Sequence, residues 1–569
     1  MQSLFSGRRF VLIVILTLAV APYFLRLGAS SLWDSNEAFY AETPREMIES
    51  GDYINPSFNY QPRFNKPPLS YWVVAGLYKL FGVSESAERL AIALAALVMI
   101  ATAYGLGRCA FSPEAGLLAA IGLAASPRFL MFSRRIMIDV YLAMFMALAL
   151  LLFILAERYP ERRRFYLAAM YASIGLGILT KGPVAALLPA LAGLIYLAVY
   201  RRLKEIRRLM LPMGLAIIAL IALPWYWAVY IQHGWGYIAG FILKDNLSRY
   251  GQQAWGPSRG PLFYAGVIAG DFFPCSLFLA LALWFEIRGR LVGKRVGSTD
   301  PAQPAAADAA QDRNVTLLIV WIAVIVIFFS FSRSKEDLYI LPIYPAAAAL
   351  AGRLVARWFS GAPTLDLPVK VTNGILAAVL VTAGASVLYL FGGAAQGYQL
   401  RGATMIGMLA VAGGLITIGS QCAGKRRVAV LSSVSAVILF NWVFVLWTLP
   451  DFERYKPVRA LCEIAGTKPP EALVGYYRLA SPSMTFYLRR PIFEYYLPEE
   501  ISTAFSSGRD VYCVMTAAEY DSLDQELRAR THVLARRPMF QVKLKGILDR
   551  AELPQVLLVS NKGGVSSAQ

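Results

Sequence analysis

Apolar runs of close to twenty residues, separated by short polar or basic stretches, recur from the start of the chain to about residue 450. As a helix, each is long enough to cross about 30 Å of hydrocarbon. The pattern predicts thirteen spans, near residues 10–27, 86–107, 113–127, 138–156, 164–180, 182–200, 209–229, 262–285, 314–331, 338–356, 373–393, 403–421 and 428–449. No small-residue cleavage site follows the first run, so it reads as a retained span and not as a signal peptide. After Pro450 the period changes. Short β-rich runs (ALVGYY, RDVYCVM, QVLLVS) alternate with polar helical stretches such as AAEYDSLDQELRAR, the pattern of a small α/β domain. The expected fold is mainly α: a polytopic membrane part over residues 1–450 and a soluble α/β domain over 451–569.

Composition agrees with that reading. Of 569 residues, 57% are hydrophobic and 16% charged, with mean hydropathy +0.51; a soluble globule carries roughly a quarter charged residues. The net charge of +19 does not call for a nucleic-acid partner, because the basic residues cluster between spans. The clusters are Arg8–Arg9, Arg158 with Arg162 to Arg164, Arg201 to Arg208, Arg288 to Arg295, Arg353 with Arg357, and Lys425 to Arg427. Threaded through thirteen spans, all of them fall on the side of the N-terminus, as the positive-inside rule requires. In a bacterial inner membrane that side is the cytoplasm, and the opposite one the periplasm. The two histidines lie far apart and the five cysteines show no CxxC spacing, so neither a metal site nor any cofactor is expected. Cys462 and Cys513 share the outward tail, and whether they form a disulfide is open at this stage.

Three segments then face outward: 28–85, 232–261 and everything after 450. The first opens with SLWDSNEAFYAETPREM, which with Glu49 brings together Asp34, Glu37, Glu42 and Glu46, and continues with PRFNKPPLSYW. Pro67 and Pro68 bias the chain at Lys66 toward extended geometry. The second contains KDNLSRYGQQAWGPSRG, and the inward stretch 288–313 is low-complexity. Ionisable residues at span mouths are costly and default to functional candidates. They are Asp139 with Arg134 and Arg135 just outside it, Lys181 in ILTKGP, Asp271 deeper in GDFFP, and Arg333, Lys335, Glu336 and Asp337 in SRSKEDLYILPIYPA. Each has a structural alternative. Lys181 and Lys335 could snorkel, and Asp139 could cap its helix. Asp34 with Glu37 has capping-box spacing, which Thr43-Pro44-Arg45-Glu46 repeats with proline at the first helical position.

YAETPREM, FNKPPLSYW, LTKGP and LYILPIYPA, in that order and topology, resemble the GT-C class of lipid-linked-sugar glycosyltransferases. The closest likeness is to bacterial aminoarabinose transferases of lipid A, relatives of the protein O-mannosyltransferases, and it covers residues 9 to 450. The resemblance implies an inverting transfer from a polyprenyl (undecaprenyl) phosphate sugar to a lipid or protein acceptor at the periplasmic leaflet, lipid A first, by a monomer among membrane lipids. It assigns the donor phosphate to Lys66, Lys181 and Arg249. Glu37 becomes the acceptor-facing acid, with Asp34 as second candidate and Asp139 in support. Tyr40, Arg45, Tyr71, Lys335, Tyr339 and Tyr344 become further substrate contacts. Three positions depart from the pattern: Asn36 where the family has aspartate, and Asn65 and Asn246 where aminoarabinose transferases tend to have glutamate and histidine. The last two remove plausible metal ligands. Two readings compete. A transporter or flippase predicts inverted repeats and helices broken at the midplane, of which the sequence gives no convincing sign; a structural or receptor protein leaves the outward charges unexplained.

Overall fold

The computed structural model describes residues 7–34, 36–241, 249–251, 259–291, 306–392, 400–540 and 552–562. Among them, eight helices are long and apolar enough to cross a membrane: Glu85–Ala110, Ile138–Arg158, Leu211–His233, Ala309–Phe331, Asp337–Phe359, Pro363–Phe391, Ala403–Cys422 and Arg426–Tyr455. The other five expected spans fall short of that standard. Phe10–Tyr23, Pro113–Ala125 and Val184–Val199 are shorter apolar helices, and Arg163–Lys181 carries charge at both ends. Residues 263–291 divide into Phe263–Asp271 and Cys275–Leu291, with Pro274, which has no N–H to donate, at the break.

Small residues let some of these helices touch backbone to backbone. A Cβ on Gly107 would stand 2.8 Å from the Cα of Gly116, and one on Gly352 2.5 Å from the carbonyl of Ala115. Helices Glu85–Ala110, Pro113–Ala125 and Tyr344–Phe359 therefore form a close-packed centre, as small-residue helix interfaces in membranes do.

The two ends of the bundle differ in charge. At one end Arg158 donates to the carbonyl of Cys109, Arg163 and Arg202 pair with Glu157, Arg290 with Asp312, Arg353 with Glu286, and Arg426 with Asp366. The described members of the interhelical basic clusters gather here. At the other end Lys181 pairs with Asp139, Arg128 with Asp337, and Arg134 grips the carbonyls of Pro22, Leu25 and Arg26. The first outward segment is more helical than its prolines suggest. Asn36–Ser50 runs unbroken through Pro44, so Thr43 caps nothing and its hydroxyl is buried without a partner among the described residues. Pro68 sits at the N-cap of a further apolar helix, Leu69–Phe81.

The tail folds around one five-stranded sheet. Its strand order is Phe493–Tyr495, Leu473–Tyr477, Val511–Thr516, Gln555–Ser560, His532–Pro538. The first three strands run parallel to one another, and Gln555–Ser560 is antiparallel to both of its neighbours. The central strands are apolar on both sides because each face carries a core. Leu461, Val474 and Leu558 pack on one face; Ile501, Val511 and Leu557 pack on the other. Cys462 belongs to the first core and Cys513 to the second, and both are free thiols. The stretch AAEYDSLDQELRAR is two short helices, Ala517–Asp521 and Gln525–Ala529.

The charge asymmetry makes the topology testable. In a cysteine-free background, cysteines replacing Arg162 and Lys425 should react with an impermeant maleimide only from the side of the N-terminus. Cysteines replacing Lys66 and Arg478 should react only from the other side. Labelling of position 66 from the N-terminal side would overturn the alternation.

Candidate functional site

At the end of the bundle opposite the basic clusters, the chain leaves its first helix, turns at residues 30–34 and enters Asn36–Ser50. A turn this short exposes every backbone polar group, and each needs a partner. Arg89, in the first turns of Glu85–Ala110, supplies several of them. Its guanidinium donates to the carbonyls of Leu27 (2.8 Å), Ser30 (2.6 Å) and Ser31 (3.0 Å) and to both oxygens of Glu37 (2.8 and 3.1 Å). Glu37, 1% exposed, also accepts from the N–H of Trp33 at 2.6 Å. Burial pushes its carboxyl up, but the charge and hydrogen bonds of Arg89, then Lys456 and the Trp33 amide, outweigh it and hold the group below the ordinary range. The side chain expected to face an acceptor is thus an ionised strut inside the protein. Asn36, one residue earlier, is exposed.

Asp34 does not cap the helix that follows it. Its carboxylate reaches across to the tail and accepts from the N–H (2.8 Å) and hydroxyl (2.9 Å) of Ser483, at the start of helix Ser483–Leu488. The residue keeps a solvent-open face within a recess of protein. Desolvation raises its carboxyl to about 6, opposed by the Ser483 hydrogen bonds and Lys456 and assisted by Glu37. Lys456 donates to the carbonyl of Ser31 and the hydroxyl of Ser30, and its ammonium lies 4.2 Å from the centre of the Trp33 ring. The Arg135 guanidinium lies 4.5 Å from the same ring, within the reach of cation–π attraction. The turn therefore gathers two cations around the Trp33 indole, beside the Asp34 carboxylate that Ser483 holds.

A line of charges runs on from Arg135. Arg128 bonds Asp337 at 2.6 Å and stands 3.4 Å from Asp271. Lys181 pairs with Asp139 and lies 4.7 Å from the centre of the Tyr339 ring, which packs on Phe329. Neither group of this pair matches its structural alternative: Met137, not Asp139, is the N-cap of Ile138–Arg158. Arg259 holds the carbonyl of Lys335 at 2.7 Å and stands 3.8 Å from Glu336. Lys335 itself donates to the carbonyl of Ser332 at 2.5 Å.

Lys66 precedes helix Leu69–Phe81, whose Leu69 and Trp72 join Ile178 and Leu179 in one apolar cluster next to Lys181; it is half-buried, its ammonium 5.9 Å from the centre of the Phe241 ring. Phe64, two residues before it, packs on His233 and Tyr237. Phe241 touches Tyr226, one wall of an apolar groove of about 960 Å³ lined also by Leu220, Leu223, Trp227, Tyr230 and Trp235. Arg249 lies in the short helix Arg249–Gly251; its side chain and Asn246 lie outside the described residues. The remaining expected contacts are spread out. Tyr40 stacks on buried Tyr71. Arg45 is fully engaged with Glu42, Glu49 and Tyr60. Tyr344 is buried against Phe129 and Phe272. Sequence reasoning named no role for Trp33, Arg89, Arg128, Arg259 or Lys456. Only Arg128, in a Ser-Pro-Arg helix start at a span mouth, carried a local signal.

Residues 65–227 match the family described as dolichyl-phosphate-mannose-protein mannosyltransferase. An uncharacterized protein of Aquifex aeolicus is 30% identical over 60% of this chain and 63% of its own length. An undecaprenyl phosphate-alpha-4-amino-4-deoxy-L-arabinose arabinosyl transferase of Pseudomonas fluorescens is 27% identical over 65% of this chain and 61% of its own. The chain thus spans a little over three fifths of these relatives. The crystal structure of ArnT from Cupriavidus metallidurans bound to undecaprenyl phosphate has the same fold, with a TM-score of 0.74, 22% identity, and coverage of 98% of this chain and 99% of that one. In sequence and in fold, the chain resembles GT-C glycosyltransferases of the aminoarabinose-transferase and O-mannosyltransferase kind.

The buried pair yields a stability test. Arg89→Met strips Glu37 of its nearest counter-charge and removes a donor from three carbonyls, of which Ser31 keeps Lys456, so it should cost about 3–5 kcal/mol. A glutamate acting only as a helix cap would be worth about 1 kcal/mol. Thermal unfolding of the purified protein, followed by tryptophan fluorescence, separates the two; a loss near the smaller figure would remove Arg89 as the support of the turn.

Proposed function

We propose that this protein is an integral-membrane inverting glycosyltransferase that moves a sugar from undecaprenyl phosphate to an acceptor at the periplasmic leaflet, with a lipid A-type envelope glycolipid as the favoured acceptor. The N-terminus and the basic clusters face the cytoplasm; the recess and the tail face the periplasm. The observation that carries the reading is the apolar groove whose wall at Tyr226 meets Phe241, the ring beside Lys66. A polyprenyl chain is apolar and its phosphate anionic, and this arrangement offers a greasy channel with a cation at its head. The relatives' names and the undecaprenyl phosphate bound in the similar structure support the same donor.

In the transfer, an acceptor oxygen attacks the anomeric carbon as the bond from that carbon to the phosphate oxygen breaks. The bonding pair leaves with the phosphate. Lys66, Lys181 and Arg249 are the cations proposed to stabilise that growing charge, the preorganised electrostatics that dominate such steps. Asp34, open to the recess, takes the acceptor-facing role in preference to the enclosed Glu37. Asp139 holds Lys181. A hydroxyl acceptor passes its proton to the Asp34 carboxylate; a phosphate acceptor is already anionic and needs only orientation. The second reading, transfer to a protein hydroxyl, draws on the mannosyltransferase match over residues 65–227. Mass spectrometry of lipid A, other glycolipids and periplasmic proteins, with the gene present and deleted, decides between them. An unchanged envelope would defeat both.

Two outcomes follow for purified protein given undecaprenyl phosphate-linked sugar. Lys66→Ala should lower turnover by about 10²–10³-fold, the usual cost of one such donor, with normal yield of folded protein. Lys66→Arg should be partly active, because a planar fork replaces a point charge. Full activity in Lys66→Ala would remove this lysine from the mechanism. With a hydroxyl acceptor, turnover should rise as pH passes the Asp34 value of about 6, since the base works ionised. Asp34→Asn should abolish that rise and cost roughly 10²–10⁴-fold. With a phosphate acceptor the same variant should keep most of its turnover. A pH profile unchanged by Asp34→Asn on a hydroxyl acceptor would assign the base elsewhere.

A further inference from the structure

The turn that presents Asp34 is held from two sides, and one of them is the C-terminal domain. Four consecutive residues are tied to the segment 453–487. The N–H of Ser31 donates to Glu453 at 2.7 Å, and the N–H of Leu32 to the hydroxyl of Tyr487 at 2.7 Å. Trp33 lies against the Lys456 ammonium, and both carboxylate oxygens of Asp34 are bound by Ser483. Tyr487 and Arg459 also bond Glu85, at the start of the helix that carries Arg89. This docking is therefore continuous with the charged end of the membrane bundle.

Lys456 is the member of this set whose position demands an explanation. Its hydrogen-bond acceptors among the described residues are the neutral oxygens of Ser30 and Ser31, and no described carboxylate stands within ion-pair distance. An enclosed ammonium whose direct contacts are neutral oxygens recovers only part of its desolvation cost, because the carboxylates of Glu37, Glu453 and Asp34 act on it from beyond ion-pair distance. Packing alone would be served better by an uncharged side chain. The placement makes sense where the carbonyl of Ser31 must be held from a second direction, since Arg89 already donates to it at 3.0 Å. Two cations then fix one carbonyl, three residues before the carboxylate that faces the recess.

We propose that Lys456 is a positioning residue for the acceptor side of the site: with Glu453 and Tyr487 it locks the Ser31–Asp34 turn, so the C-terminal domain completes the site built by the membrane helices. The proposal rests on the glycosyltransfer reading for its kinetic consequence, though not for its structural one. It separates the two sides of the site. Lys456 acts on the Ser30–Ser31 turn, so acceptor handling depends on it, and donor binding at Lys66 is expected to be unaffected.

The test uses the full chain in nanodiscs, with undecaprenyl phosphate-linked aminoarabinose as donor and lipid A as acceptor. Lys456→Met should raise amide exchange at Ser31, Leu32 and Trp33 at least tenfold, with exchange in the bundle helices unchanged. The acceptor KM should rise at least tenfold, while binding of undecaprenyl phosphate stays within twofold, and Lys456→Arg should recover part of the loss. If Lys456→Met does not fold, Tyr487→Phe, which removes the acceptor for a single amide, should show a smaller effect of the same pattern. Unchanged exchange and acceptor kinetics would overturn the proposal. So would an equal loss of donor binding, or a uniform loss of protection across the chain, either of which marks a purely structural residue. A wild-type protein inactive on this pair would defeat the aminoarabinose-to-lipid A form of the reading instead, and the exchange measurement would still decide whether Lys456 holds the turn.

Discussion

The outward end of this protein depends on one guanidinium. Arg89 sits in the first turns of a membrane helix and is 2% exposed. Its donors are spent on the carbonyls of Leu27, Ser30 and Ser31 and on Glu37, the first carboxylate of the Asn36–Ser50 helix. A guanidinium suits this task because its planar fork serves several acceptors at once and does not lose its proton. Burying it obliges the surroundings to supply counter-charge, which explains why Glu37 is drawn inward and away from any substrate. The position of Asp34 is the remainder of that arrangement. With its neighbour at 37 consumed by Arg89, it is the acid of the turn left facing the recess.

Beyond Arg89 the same logic repeats with weaker members. Arg128 is shared between Asp337 and Asp271, and Lys181 is held by Asp139. Arg259 secures the hairpin carbonyl of Lys335. Each cation is fixed by a carboxylate or carbonyl contributed by a different segment, so the helices are locked at one end by polar pairs and along their length by close packing at Gly107, Gly116 and Gly352. Fixed charges in a partly dry recess act on a substrate without first having to reorganise. The groove by Tyr226 remains apolar, in contrast to this charged end.

Much of this was legible in the sequence, and the boundary of what was legible has a physical cause. Hydropathy located the long helices, since crossing hydrocarbon imposes both length and composition. The alternation of arginines located the basic end, where Glu157, Asp312 and Glu286 indeed tie the clusters together. The strands LVGYY, VYCVMT and QVLLVS announced themselves through β-branched and aromatic runs. Pairings over long distances were not legible. Glu37 gives no local sign of Arg89, and Asp34 none of Ser483, because those contacts are decided by which helix ends meet. Local rules also gave way to tertiary context. Capping-box spacing at Thr43 suggested a helix start, yet Pro44 sits inside a continuous helix packed on the tail. The prolines after Lys66 suggested an extended strand, but Pro68 opens a helix of thirteen residues, too short to register as a span.

Timing follows from the separation between the turn and its clasp. The carbonyl of Ser31 and the ammonium of Lys456 are 425 residues apart. A ribosome adding roughly 5–20 residues per second needs about 20–85 s to cover that distance. During this interval Arg89 can hold one side of the turn, while its partners in the tail have yet to be made. On the proposed reading, a nascent chain has its donor lysine, Lys66, well before it has a fixed acceptor side. Truncated products of interrupted synthesis would share that condition: the donor lysine made, the acceptor side without its clasp.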